Sequence, residues 1–323
     1  MTIHEYKTRT GAIFADTERR LEFLYVGDYG KEANIKANFL GLDKAIYGVR
    51  HTDVDLSNKL VLTISTQKGC PEKCLFCDCP AAGFQGNASY RDLLFQIEYL
   101  LNMVARQGIE HVNRLNVHYA RMGEPSWNWD VIDFSHDLPD IANKIISCDV
   151  VHPVFTTMLP AKNRNLLSIL HSWCHDIKNT VYSGDAGLQL SINSTDEEQR
   201  NWLFANRSLS LTKIVGICES LPAPRGRRYT LNFPVTKSTI LDAKWLTACF
   251  DRDKFIVKIT PIHETRAAKD NAFDITSEYS SYDVYGRFER PLLECGWDVI
   301  VFVPSKEEDE DRITCGNALI ATL

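Results

Sequence analysis

From residue 60 onward the chain repeats one pattern, a short apolar β-branched run followed by an amphipathic stretch of helical period. Residues 60–65, 112–119, 150–157, 188–192, 229–235, 255–261 and 297–303 read as strands. Between them, residues 90–106, 129–146, 165–177, the stretch from about 197, 240–250 and 280–295 read as helices. The first helix is the clearest, with Leu93, Leu94, Ile97, Leu100, Leu101 and Val104 on one face. Strands that are apolar throughout are buried on both faces, as in a parallel sheet covered by helices. About six such units imply an α/β fold whose ligands gather at the C-terminal ends of the strands. The segment before residue 60 reads differently. Residues 20–26 and 37–50 carry alternating apolar positions punctuated by Gly27, Gly30 and Gly41, as β-structure does.

Composition enters through the cysteines, of which there are ten in 323 residues. The start of the chain, Met1 to Lys7, has no apolar h-region, and no apolar run approaches the length of a membrane helix. A cytoplasmic setting, where thiols stay reduced, is expected, with no membrane partner. Cysteines there bind metal, react or pack. The segment Gly69 to Cys77 holds three of them, Cys70, Cys74 and Cys77, spaced C-x3-C-x2-C directly after the first strand of the series. Three thiolates on one loop suit a [4Fe–4S] cluster with one iron left for a substrate or cofactor. Zinc with Cys79 as fourth ligand, or a chance grouping, are the alternatives. The net charge of −6 speaks against binding nucleic acid by bulk charge.

This spacing, with the aromatic Phe76 just before the third cysteine, resembles the radical S-adenosylmethionine (SAM) superfamily. The resemblance implies a partial (β/α)6 barrel and a cluster whose open iron binds SAM and cleaves it to a 5′-deoxyadenosyl radical. A narrower likeness covers about residues 35 to 323. Gln67-Lys68-Gly69-Cys70, Cys77, Gly83-Phe84 and Asn87 match the S-Q-x-G-C…C-x-F-C…G-F-x-x-N pattern of RlmN/Cfr-type RNA adenine methyltransferases. Four more blocks follow in the family's order: Met122 to Pro125 with Asn128, Ser191 to Arg200, Ile259 to His263, and Ile313 to Leu319.

The resemblance implies roles. Cys70, Cys74 and Cys77 hold the cluster, and Phe76 packs near the adenine of SAM. Gly123 and Glu124 meet its amino end, where a carboxylate would face an ammonium. Thr157 supplies a hydroxyl contact, Ser191 and Asn193 bind carboxylate or ribose, and His263 stands where the family has a SAM-binding Asn. Cys315 matches the cysteine that accepts a methyl from one SAM and passes it on as a methylene, a task suited to a soft nucleophile. RNA or a nucleotide is the implied substrate, and a flavodoxin-type protein the implied electron donor.

The chain departs from the family at two points. The second cysteine, which deprotonates and resolves the adduct, lies seven residues before the first cluster cysteine; here that position is Thr63. Another thiol could replace it (Cys79 is nearest in sequence to the cluster), or resolution differs, or Cys315 serves another reaction. The family's N-terminal helical domain has no counterpart in the roughly sixty residues before the cluster region.

The organisation expected is a β-rich extension over residues 1–58, the radical SAM barrel over 59–304, and a C-terminal segment, 305–323, carrying Cys315. The acidic run Lys306 to Arg312 reads as a solvated loop, mobile enough to bring Cys315 to SAM. Arg225 to Arg228 reads as a solvated turn, and His171 with His175 as a packed or surface pair. Cys148, Cys174, Cys218, Cys249 and Cys295 read as small core residues. Trp127 and Trp129 could roof a substrate pocket or pack. Two other functions stand beside methyl transfer: a radical SAM enzyme acting on a nucleotide or other small molecule without it, and a non-catalytic iron–sulfur binding or regulatory protein.

Overall fold

The computed structural model describes residues 3–9, 11–27, 55–275, 283–304 and 306–322. The strand expected at 37–50 and the start of the helix expected at 280 lie outside them. The strands are β1 (Ile3–Lys7), β2 (Gly11–Asp16), β3 (Leu21–Val26), β4 (Leu60–Thr63), β5 (Gln67–Gly69), β6 (Phe84–Asn87), β7 (His111–Tyr119), β8 (Ser147–Thr157), β9 (Gly187–Ser191), β10 (Tyr229–Val235), β11 (Phe255–Pro261) and β12 (Val299–Val301). The helices are α1 (Tyr90–Ala105), α2 (Asp130–Asn143), α3 (Leu166–Ser172), α4 (Glu197–Leu203), α5 (Leu211–Ser220), α6 (Ala243–Cys249), α7 (Arg266–Asp270), α8 (Asp283–Glu294) and α9 (Lys306–Glu310). The chain after α3 continues in π-helical turns over Trp173–Val181. Among the described residues, no helix is long and apolar enough to cross a membrane.

Ten strands form one sheet, in the order β1-β2-β3-β4-β7-β8-β9-β10-β11-β12. From β4 to β12 every pairing is parallel, as the buried strands require. The meander β1–β3 continues the sheet antiparallel, with Leu24 opposite Thr63. Each parallel strand sends alternate residues to opposite faces. On β7, Leu115, Val117 and Tyr119 join the helix-side core, together with Leu93, Ile97 and Leu101 of α1. The alternate positions, Asn116 and His118, lie on the opposite face of the sheet. The α1 periodicity is closed by a capping box, in which Ser89 and Asp92 exchange side-chain and backbone bonds. Phe14 and Phe23 of the meander share this core.

The acidic run near the C-terminus is not a solvated loop. It begins with helix α9, and Glu308 and Asp309 are buried. Burial is tolerated because Asp309 is partnered: it accepts from Thr314 Oγ1 and from the Glu264 amide at 2.9 Å. Arg9 pairs with Glu310 at 2.8 Å and Asp311 at 3.6 Å.

The segment after α9 is also tied down rather than free to swing. Glu22 on β3 is fully buried. Its Oε1 accepts from Arg121 Nε at 2.7 Å, from Arg121 Nη2, and from the Leu319 amide at 3.1 Å. Its Oε2 accepts from the Ile320 amide at 2.8 Å. Arg121 Nη1 donates to the Arg312 carbonyl at 3.0 Å. Beside this network Ile13, Leu24 and Ile313 form a small apolar cluster, with Leu319 packed against it.

Removing one member of a buried pair strands the other charge. Glu22→Gln is expected to lower unfolding free energy by about 3–5 kcal/mol in urea titrations. Glu5→Gln, whose partner Lys7 is exposed at 3.9 Å, is expected to cost under about 1 kcal/mol.

Candidate active site

The cysteine loop leaves the sheet at the C-terminal ends of the strands. Its base is the β5–β6 ladder, drawn so close that a Cβ on Gly69 would lie 1.3 Å from the Gly83 carbonyl oxygen. With φ at +82°, this position requires glycine. Cys70, Cys74 and Cys77 are free thiols, each half-buried. Burial pushes Cys70 and Cys74 up, and the charge of Cys77 adds to both. Cys77 shifts down, chiefly through a hydrogen bond from the Cys79 thiol. The three thiols therefore sense one another's charge. Among the described residues no three His, Cys, Asp or Glu side chains, the loop thiols included, converge on a single ion. Thiolates that bind separate irons of a cluster need no such convergence.

Phe76 packs edge-on against Phe204 at 5.7 Å and Phe273 at 6.3 Å, and its carbonyl accepts from Thr265 Oγ1 at 2.8 Å. Gly123 has φ +104°, and a Cβ there would lie 2.6 Å from Gln67 Cβ. Glu124 is buried. Its Oε1 accepts from the Ser126 amide at 3.1 Å and its Oε2 from the Met158 amide at 2.8 Å, with the Thr157 hydroxyl also bonded. Burial raises its pKa. Both oxygens thus meet the chain's own donors, which ties the end of β7 to the end of β8. Asn87 and Asn128 are framing residues. Asn87 bonds Gln67 Nε2 and the Trp127 carbonyl, and Asn128 bonds the Thr66 and Ala88 carbonyls.

Thr157 accepts from the Leu159 amide at 2.9 Å. Ser191, at the end of β9, is half-buried. Two residues on, Asn193 is fully buried in the left-handed region at φ +64°, and neither its side-chain oxygen nor its nitrogen has a partner. Buried amides are ordinarily bonded, and this one is an exception among the described residues. His263 Nδ1 lies 3.2 Å from Asp309 Oδ1. Arg200, a motif residue with no role assigned from sequence, is buried. It donates to the Ile192 and Met158 carbonyls at 3.2 Å each and stacks on Phe204 at 4.6 Å. Burial lowers it to about 9.

Cys315 meets this loop from the C-terminal side. The Gly316 carbonyl accepts from the Asp78 amide at 2.7 Å, and Arg312 Nη2 lies 3.0 Å from Asp78 Oδ2. A Cβ on Gly316 would lie 3.5 Å from the Phe76 carbonyl oxygen and 3.9 Å from Cys77 Cα. The Cys315 thiol is open to solvent and lies 3.8 Å from the Ala120 carbonyl. Surrounding protein and the charge of Cys77 raise it to about 11, while Lys258 and Arg121 pull it back. Lys258 reaches across the interior to Gln189 Oε1 at 3.2 Å and lies over the Phe302 ring at 5.0 Å.

Thr63 stands in register with His118 on the neighbouring strand. Cys79 is sealed among Ala82, Met122 and Ala318, with Sγ 3.1 Å from the Arg121 carbonyl. Cys70 and Cys77 pack against the same cluster. Of the five cysteines read as core, Cys174 and Cys218 are fully enclosed and the others half-buried. His175 is exposed beside Asp176, and His171 is half-buried. Arg228 pairs with Asp298, and Arg227 meets His152 at 3.1 Å near the opposite ends of the strands. Trp127 donates to Glu72 at 2.9 Å and, with exposed Phe84, lines a shallow groove beside the loop. Trp129 is exposed.

No protein-family model matches the chain. It is 28% identical over 169 residues to the dual-specificity RNA methyltransferase RlmN of Halorhodospira halophila, covering 52% of this chain and 42% of that protein. To the probable RlmN of Pseudothermotoga lettingae it is 27% identical over 207 residues, 62% of this chain and 54% of the relative. The chain spans about half the length of the curated relatives it matches. Its fold overlays the crystal structure of a radical SAM methyltransferase from Sphaerobacter thermophilus with a TM-score of 0.67 at 16% identity, covering 98% of this chain and 80% of that one. In sequence the chain is thus similar to RNA methyltransferases named RlmN, and in fold to a radical SAM methyltransferase.

The thiolate is the reactive form of cysteine. Iodoacetamide is therefore expected to label Cys315 slowly at neutral pH and about tenfold faster per pH unit between 8 and 10. Cys79, Cys174 and Cys218 should stay unlabelled in the native protein, as read by peptide mass spectrometry.

Proposed function

We propose that the chain is a radical SAM methyltransferase that carries a methyl group on Cys315 and delivers it to an adenine carbon in RNA. The observation that carries this reading is the docking of the Cys315–Gly316 turn beside Cys77 and Asp78, with Cys315 exposed. The residues present fit the cofactors. Cys70, Cys74 and Cys77 are a thiol set for a [4Fe–4S] cluster, and the orphaned amide of Asn193 offers one donor and one acceptor to SAM. Gly123, Glu124, Thr157, Ser191 and His263 frame that place, and Phe76 gives it an apolar wall. When bound, the cluster supplies the electron that cleaves SAM to a 5′-deoxyadenosyl radical. The chain's own part is to present a nucleophilic sulfur, fix it beside the loop, and line the recess with Lys258, Gln189 and His118. In this reading residues 1–58 are the extension that seats the tail, 59–304 the barrel, and 305–323 the thiol-bearing segment. A flavodoxin-type protein supplies electrons, in a cytoplasmic setting that keeps the thiols reduced.

A second reading, a radical SAM enzyme acting on a nucleotide without methyl transfer, is favoured by Thr63, which leaves no thiol at that position. One experiment separates the two. Anaerobically reconstituted protein, expected to hold about four irons per chain, is incubated with methyl-deuterated SAM, reductant, and unmodified ribosomal and transfer RNA transcripts. Deuterated methyl on Cys315 and deuterated methyladenosine in the RNA digest are expected, and both should be lost in Cys315→Ser. Release of 5′-deoxyadenosine with Cys315 unmodified would select the second reading.

A further inference from the structure

We propose that the groove beside the cysteine loop is a seat for unpaired RNA, in which bases stack on Phe84 and Trp127 and the backbone phosphates meet Lys73, Lys162 and Arg164. This rests on the reading of RNA as the substrate, and adds where the strand lies on the chain. The groove is lined by Gln67, Pro71, Phe84, Gly86, Asn87 and Trp127, none of them acidic, around about 390 Å3. That is the low end of what takes a small organic group, room for a base or two and too little for a duplex. Phe84 is 47% exposed, a large ring left in water beside a second ring. Pro71 directly follows Cys70, so a strand seated here runs alongside the cysteine loop.

The lining offers surface rather than hydrogen bonds. Trp127 uses its indole N–H on Glu72 at 2.9 Å, and its carbonyl accepts from Asn87 Nδ2 at 2.8 Å. Asn87 Oδ1 accepts from Gln67 Nε2 at 2.8 Å, and Gln67 Oε1 accepts from the Glu124 amide at 2.8 Å. At Gly86, with φ +109°, a Cβ would meet nothing within 4 Å, so the backbone there lies open. Ring surface and bare backbone suit the flat face of a base, and amides engaged with one another leave little to read its edge. Every base has such a face, so the seat tolerates any sequence. Charge alone would equally attract an acidic protein; the two rings and the open glycine favour a flat aromatic guest.

The rim supplies positive charge in a chain whose net charge is −6. Asn163 Nδ2 donates to the Ser126 carbonyl at 2.6 Å, which fixes Lys162 and Arg164, on either side of Asn163, beside the turn that carries Trp127. Arg207 Nη1 donates to the Pro71 carbonyl at 3.2 Å, and Lys73 follows Glu72 on the loop. Lys73, Lys162 and Arg164 are exposed and make no ion pair among the described residues. Elsewhere on the surface Arg9, Arg228 and Lys269 each hold a carboxylate. An acidic chain that binds RNA needs such a local group of unpaired cations, because its mean field repels phosphate.

The test is fluorescence anisotropy of the full chain with fluorescein-labelled oligouridine and oligoadenosine of about ten nucleotides, a length one such groove covers. The two should bind with affinities within about threefold of each other, and a duplex of the same length about tenfold or more weaker. Phe84→Ala, with its melting temperature unchanged, should weaken binding by about 5- to 100-fold, the loss of one stacked base. Phe84→Tyr, which keeps the ring, should restore it, and on an abasic oligomer Phe84→Ala and wild type should bind alike. Lys162→Gln combined with Arg164→Gln should reduce the slope of log affinity against log salt by about 1.4, two phosphate contacts on a single strand. Wild-type affinity in Phe84→Ala and in the double variant would overturn the proposal. Abasic and intact oligomers bound equally by the wild type would overturn it too, leaving charge alone. So would groove variants that keep RNA binding but lose turnover driven by a flavodoxin-type donor, which would assign the groove to that partner. Methyladenosine absent from transcripts that the chain still binds through this groove would overturn the proposed reaction and leave the seat standing. Methyladenosine formed at the wild-type rate by the groove variants would overturn the seat and leave the reaction.

Discussion

The Glu22 carboxylate is the joint on which the active end of the molecule is assembled. A carboxylate with no exposed surface is tolerable only when every direction it can accept from is met. Here the partners come from three distant parts of the chain: β3 supplies the acid, the end of β7 supplies Arg121, and the C-terminal segment supplies the Leu319 and Ile320 amides. Arg121 passes the constraint on to the Arg312 carbonyl. The N-terminal meander thus has a purpose beyond widening the sheet, because it is the surface on which the thiol-bearing tail is seated.

Above that joint the strand ends are shaped by backbone more than by side chains. Gly69, Gly123 and Gly316 occur where a Cβ would collide or crowd, and each lies in the left-handed region. Asn193 adopts a similar conformation without being glycine, which costs energy and leaves its amide buried and unmatched. Glu124 acts as a strap between β7 and β8, its charge held by amides that are fixed before any ligand arrives.

Much of this was legible in the sequence. The parallel strands could be read because burial on both faces leaves continuous apolar runs, and α1 because its stripe is wide and capped. The cysteine loop followed from spacing. What escaped was whatever depends on partners far away in the chain. β1 is a short strand at the sheet's edge, β2 lies between it and β3, and β5 and β6 exist only as each other's partners. The acidic run near the C-terminus looks solvated until Asp309 is seen between Thr314 and the Glu264 amide. The role of Glu22 is invisible locally, since nothing near it announces Arg121 or the tail. The pairing of Thr63 with His118 is likewise a fact of register between strands, and no local motif encodes it.

The hydrogen bond from the Asp78 amide to the Gly316 carbonyl couples two places that the chain's order keeps far apart. Linkage is reciprocal: whatever free energy the ordering of the cysteine loop contributes to fixing the Cys315 turn, a change at that turn returns to the loop. Whatever strains or frees the Cys315 turn is therefore felt at the cysteine loop through that single amide, and the reverse holds equally.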